Sequence, residues 1–286
     1  MLGTLPPVSE IALSSAVMSL RTTNELQQAG TYRRTVRARI ERVWENVFDW
    51  EHLPALHERD FYSVDLIERT PSGWRVRLVN QPGGEARGQV IELRANKSSG
   101  RYRVVTLDGP GKGGEVLTRL TPVSSRRTGV EVEFLVPPAA RNLSAIGRRY
   151  VEMYTRLWDQ DEAMMMQRER ACLARRRPRP KNPRPKSLGP VSEVRARLPF
   201  VTEFGGERFR LVDVDGELVA HAVNCPHWLG PLDKTELVGG CIRCPWHGYR
   251  FDIRSGASVD GHNLSLPIAP RVTIRERHVS LTRAPK

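Results

Sequence analysis

The sequence predicts an α+β domain, an antiparallel sheet closed by one long helix, followed by a small all-β domain. Three observations carry this prediction. Six strand-like runs lead into helical periodicity from about Asn142 to Leu173, a proline-rich basic tract follows, and beyond it short strands alternate with Gly, Asp and Pro turns. The tract, RRRPRPKNPRPK at 175–186, has seven basic residues, four prolines and no acid, so it can neither bury a core nor hold a helix. It reads as a semi-rigid linker.

The elements follow in order. Residues 1–30 form an N-terminal extension, in which Ile11 to Leu26 has some helical periodicity. Tyr32 to Ile40 alternates as a strand does, and Val43, Trp44 and Val47 share one face of a short helix over Glu41 to Phe48. A second short helical segment runs from Trp50 to His57, interrupted by Pro54. Strands are expected at Tyr62–Ile67, Trp74–Val79, Gln89–Leu93, Tyr102–Thr106, Val116–Leu120 and Val130–Val136. The chain thus divides into the extension, a domain at 31–172, a linker at 173–188 and a second domain at 189–286.

Composition narrows the class. Of 286 residues, 39% are hydrophobic and 27% charged, enough for two ordinary domains. No run approaches the roughly 20 apolar residues of a membrane span, and Pro6, Pro7 and Glu10 interrupt the place where a secretory signal would need its apolar core. A cytoplasmic location is expected. The net charge of +13 suggests an acidic partner, but seven of those charges sit in the linker, with no aromatics interleaved as nucleic-acid binding would favour. The rest of the chain is only modestly basic, which argues for an acidic protein over nucleic acid as the partner.

The second domain carries the sharpest motif. Cys225-Pro226-His227 and Cys244-Pro245-Trp246-His247-Gly248 supply two thiolates and two imidazoles, the set by which a Rieske [2Fe–2S] cluster binds one iron through sulfur and the other through nitrogen. The alternative is a zinc site in which Cys241 and Cys244 join Cys225 and His247; it leaves His227 without a purpose. Gly230-Pro231-Leu232 and Phe251-Asp252 also resemble the Rieske ferredoxins and oxygenases. Respiratory Rieske proteins add a disulfide and a cluster-bonding serine, where this chain has Leu229, Trp246 and Tyr249. Fewer hydrogen bonds to the sulfurs favour a lower potential and a ferredoxin or flavin reductase as electron donor.

The element order of residues 31–172 resembles the helix-grip fold of the START-like superfamily. Together the two domains resemble the Rieske non-haem iron oxygenases, which carry a Glu-x(3–4)-Asp-x2-His-x4-His pattern after the first strand. Glu45, Asp49, His52 and His57 stand at that spacing. The resemblance implies His52 and His57 as ligands of a mononuclear Fe(II), and Asp49 as the carboxylate joining that iron to the Rieske histidine of a neighbouring subunit. A facial triad needs one more carboxylate, which in the family comes from the terminal helix. At about 100° per residue, Asp161 lies within roughly 60° of Tyr150, Tyr154, Leu157, Trp158, Met164 and Met165, whereas Asp159 points about 160° away. A carboxylate in an apolar stripe is costly unless paired or metal-bound, so Asp161 is the expected ligand.

What the resemblance implies is an oxygenase fed indirectly by NAD(P)H, using O2 on a small apolar or aromatic substrate. The domain order is the reverse of the family's usual one. A linker of some fifteen residues at roughly 3 Å each can reach across a protomer interface, which leads to the expectation of a head-to-tail homotrimer. The competing reading is a START-like binder of hydrophobic ligands fused to a Rieske ferredoxin, with no catalytic iron.

Overall fold

The computed structural model describes residues 26–83 and 88–284, so the periodicity of Ile11 to Leu26 falls almost wholly outside the described residues. The first domain is one antiparallel sheet of seven strands, β1 (Gln27–Val36), β2 (Ser63–Thr70), β3 (Gly73–Val79), β4 (Gln89–Asn96), β5 (Arg101–Asp108), β6 (Glu115–Ser124) and β7 (Arg127–Val136). Their spatial order is β1-β7-β6-β5-β4-β3-β2. The period-two pattern sets which face is buried: on β7, Val130, Val132 and Phe134 point into the core, while Glu131 and Glu133 face outward. A single helix, α3 (Leu143–Arg175), lies in the grip of this sheet. This is the helix-grip arrangement that the element order predicts, with a small all-β domain after it.

Several strands run beyond their predicted ends, and two departures bear on the architecture. β1 starts and ends about four residues earlier than its alternation suggests, because its pairing with β7 runs from Gln27 opposite Val136 to Val36 opposite Thr128. Beyond Val36 the Thr128 hydroxyl bonds the Ala38 carbonyl instead, and Ile40 begins helix α1 (Ile40–Phe48). The polar start of the strand, Gln-Gln-Ala-Gly, hides it from a periodicity argument. The link between domains is also narrower than predicted. α3 continues to Arg175, three residues before the first proline, and Lys186 already pairs with Leu281 in strand β8 (Lys186–Pro190).

A close backbone contact fixes the helix to the sheet. Gly30 of β1 faces Gly147 of α3, and a Cβ at Gly147 would lie 2.1 Å from the Ala29 carbonyl oxygen. Gly147→Ala is therefore expected to destabilise the domain by about 1–3 kcal/mol through overpacking. That exceeds the roughly 1 kcal/mol gained from alanine's helix propensity. An unchanged melting temperature would show that the contact does not constrain the fold.

The second domain contains helix α4 (Val191–Ala196) and strands β9 (Phe200–Phe204), β10 (Glu207–Val214), β11 (Glu217–Ala222), β12 (Leu237–Val238), β13 (Cys241–Arg243), β14 (Arg250–Asp252), β15 (Arg271–Arg275) and β16 (His278–Thr282). With β8 they form three small sheets, ordered β11-β10-β9, β12-β13-β14 and β15-β16-β8. α3 serves both domains. Trp158 and Met165 enter the grip core, whereas Met164 packs with Val212, Trp246 and Phe251 of the second domain. No helix among the described residues is long and apolar enough to cross a membrane.

Candidate metal centres

Two loops built alike present the Cys-His pairs. In the first, the Cys225 amide bonds the Gly230 carbonyl at 2.8 Å and the Leu229 amide bonds the Cys225 carbonyl at 3.0 Å. In the second, Cys244 bonds Tyr249 at 2.8 Å and Gly248 bonds Cys244 at 2.9 Å in the same two ways. Both turns need a left-handed residue at their fifth position, supplied by Gly248 (φ 74°) and, at a strain cost, by Leu229 (φ 64°). Gly230 lets the loops meet, since a Cβ there would lie 2.6 Å from Cys244 Sγ.

The four side chains converge as an iron–sulfur cluster requires. Cys225 and Cys244 are buried, and the Cys225 thiol donates to Cys244, drawing the Cys244 thiol down against the effect of burial. The rings of His227 and His247 stand 4.5 Å apart, and the Nδ1 atoms of both are buried without a hydrogen-bond partner. Two orphaned imidazole nitrogens beside two sulfurs fit the Rieske ligand set. Burial and the neighbouring His247 also push His227 down to about 4, which keeps it neutral as a ligand must be. Cys241 lies outside the loop, in β13, opposite Asp252.

The second group stands at the ends of two short helices. Asp49 caps the C-terminus of α1, His52 opens the single-turn helix α2 (Leu53–Leu56), and His57 closes it. Pro54 does not interrupt this segment as the sequence suggests. It lies in the first turn of α2, where the missing amide costs nothing and its φ is already helical. One turn of helix then brings the two imidazoles to ring centroids 5.1 Å apart.

Asp161 reaches them from α3. Its Oδ1 is 3.1 Å from His57 Nε2 and 3.5 Å from His52 Nε2, and the three residues are buried with ligand atoms all within 4.8 Å of one another. The helical-wheel separation holds: the Asp161 side chain is 10% exposed, whereas the Asp159 side chain is 62% exposed and accepts from Arg34 at 2.6 Å. Burial would raise the Asp161 carboxyl, but hydrogen bonds from His52 and His57 hold it below the usual carboxylate range. A divalent cation on the same three atoms would replace the proton they share. The outer nitrogen of His57, Nδ1, is held by Gln160 Oε1 at 2.8 Å, while His52 Nδ1 lies 3.3 Å from Asp49 Oδ2, at ion-pair distance but without hydrogen-bond alignment.

The same Asp49 oxygen accepts a hydrogen bond from His247 Nε2 at 2.7 Å. One carboxylate thus joins a histidine of the first group to a histidine of the second. The expectation places the partner histidine on a neighbouring subunit, whereas in this structure the contact lies within one chain. The physical reason is the docking of the second domain onto α1, α2 and α3. Tyr249 donates to Glu51 at 2.6 Å, and Arg168 donates to the Trp228 carbonyl at 2.9 Å with its guanidinium 4.2 Å from the indole centroid. Arg168 also bonds Glu45 at 3.2 Å, the residue that heads the sequence motif. Burial works against the charge on Asp49, yet His247 and His52 hold its carboxyl well below the usual range.

Sequence reasoning missed three residues here. Glu162, next to Asp161, is also buried, bonding Arg34 and Arg37 at 2.5 Å each. Gln160 lies on α3 and Glu51 in the turn between α1 and α2, and no spacing signal marks either.

Comparison with known proteins supports the second domain most directly. Residues 185–269 match the family model of the Rieske [2Fe-2S] domain, which implies a [2Fe–2S] cluster. Apoptosis-inducing factor 3 of Mus musculus is 38% identical over 79 residues, 28% of this chain and 13% of that protein. The Homo sapiens protein is 44% identical over 54 residues, 19% of this chain and 9% of that one. The chain therefore matches only a small part of the length of these curated relatives. Among solved structures, the ferredoxin of carbazole 1,9a-dioxygenase from Nocardioides aromaticivorans is 20% identical, with a TM-score of 0.31 over 36% of this chain and 100% of that one. The Zhui aromatase/cyclase of a Streptomyces species is 16% identical, with a TM-score of 0.42 over 51% of this chain and 98% of that one.

Proposed function

We propose that the chain is a Rieske-type non-haem iron oxygenase. It takes electrons from a ferredoxin or flavin reductase that draws on NAD(P)H, and it oxidises a small apolar or aromatic substrate with dioxygen by hydroxylation, demethylation or desaturation. The observation that carries this reading is the Asp49 carboxylate held between His247 of one ligand group and His52 of the other. Cys225, His227, Cys244 and His247 would hold the cluster, and His52, His57 and Asp161 a mononuclear Fe(II). Bound there, these groups supply one-electron transfer and a face of open positions for dioxygen, which no side chain provides.

The remaining work falls to the chain itself. Asp49 accepts a hydrogen bond from His247 Nε2–H and faces His52 Nδ1, so that each ring presents its other nitrogen inward. Gln160 fixes the ring of His57 in the same way. The rings of Tyr102, Phe134, Tyr150 and Tyr154 pack inside the grip and give its interior an aromatic lining that suits an apolar substrate and excludes water. Because the bridge is internal, a head-to-tail trimer is not required for the two centres to communicate.

Metal content tests this reading. Anaerobic reconstitution with iron and sulfide should give about three irons and about two acid-labile sulfides per chain. Two irons per chain would instead leave an electron carrier joined to a ligand-binding fold.

A further inference from the structure

We propose that electrons enter the cluster from its cysteine side, by docking of an acidic one-electron carrier protein in the cleft between α3 and the cluster loops. The inference rests on the reading of residues 185–269 as a cluster domain and is independent of the second iron.

The histidine side is closed. His247 is buried against Asp49, Arg168 covers Trp228, and Tyr249 stacks on His227 with ring centroids 4.7 Å apart. A carrier protein approaching from that direction meets α1 and α2 of the same chain. On the other side lies an open cleft of about 1130 Å³, walled by the last three turns of α3 on one side and by Cys225, Pro226, Leu229 and Pro245 on the other. A protein surface seated there touches the backbone that carries a cluster ligand, with no intervening domain.

Charge identifies the occupant. The cleft holds Arg170, Arg175, Arg179, Arg208 and Lys234 against Glu207 and Asp233. Both acids are engaged, Glu207 by Arg179 and Asp233 by Arg208 at 3.6 Å. Among the described residues no ion pair engages Arg170, Arg175 or Lys234, and all three are exposed. Arg176 and Arg177 extend the same positive rim into the linker. Three unpaired cations around a path to the cluster steer an anionic partner, and they do so in a salt-dependent way.

A second route would use stacked rings, His227 on Tyr249 and Tyr249 on the exposed His262 at 3.9 Å. The two routes are separable by experiment. The oxidised holoprotein is mixed with a photoreduced acidic plant-type [2Fe–2S] ferredoxin in a stopped-flow instrument, and bleaching of the Rieske absorbance reports electron entry alone, whatever the second site contains. At low salt the triple variant Arg170→Glu, Arg175→Glu, Lys234→Glu should bleach at least about 10-fold more slowly than the wild type. The wild-type rate should fall as salt rises and the variant's should not. Calorimetric titration with the oxidised ferredoxin should show a matching loss of affinity. Reduction by an uncharged deazaflavin radical should be equal in both proteins, which shows that the variant is folded and its cluster intact. His262→Ala should reduce at the wild-type rate. Equal rates and salt slopes for wild type and triple variant overturn the proposal, and so does a slow His262→Ala beside an unaffected triple variant.

Discussion

Asp161→Ala is expected to lose one iron per chain and all oxygenase activity while its Rieske spectrum stays unchanged. The geometry makes this the largest single effect. Asp161 Oδ1 is the atom on which both Nε2 atoms converge, at 3.1 and 3.5 Å, and among the described residues Asp161 is the carboxylate of that group, since Asp49 faces the outer nitrogen of His52. Two histidines alone keep neither the charge nor the facial geometry that Fe(II) needs. Iron should fall from about three to about two per chain, by elemental analysis against acid-labile sulfide. Asp159→Ala is the control, two residues away, mostly exposed and bonded to Arg34. If Asp161→Ala retains the third iron, or if Asp159→Ala loses as much of it, the triad assignment fails.

Asp49→Asn should have the second-largest effect and a different signature. Asparagine keeps the size and one acceptor oxygen, so both ligand groups should stay assembled and both metals bound. What it removes is the negative charge that His52 and His247 share. Exchange between the centres should slow on the order of 100-fold, the upper end for a residue that orients metal ligands. The measurement is single turnover of the fully reduced protein with substrate and dioxygen, following reoxidation of the cluster. Wild-type reoxidation kinetics in this variant would remove the bridge from the mechanism, even with the metal content unchanged.

The two metal groups were legible in the sequence to different degrees. The cluster loops are short, so Cys225-Pro226-His227 and Cys244-Pro245-Trp246-His247 carry their geometry in their own spacing. Asp161 was legible because helical periodicity separates it from Asp159, and burial follows from that angle. The partner of Asp49 was not. A bridge between residues 198 positions apart depends on how one domain docks on another, and neither motif encodes that. The inverted domain order pointed to a neighbouring chain, whereas the shared helix folds the second domain back onto the first. Glu162 was illegible for the opposite reason. The wheel places it near the edge of the apolar stripe, and Arg34 on the facing strand with Arg37 just beyond its end makes its burial tolerable.

The internal bridge also has a genetic consequence. In a head-to-tail ring, a subunit with a damaged cluster loop and one with a damaged carboxylate can share a junction in which both halves are sound, so two defective alleles complement. Here Asp49 and His247 belong to one polypeptide. A cell that makes an Asp49 variant and a His247 variant side by side should gain nothing from having both, and each allele stands or falls by its own product.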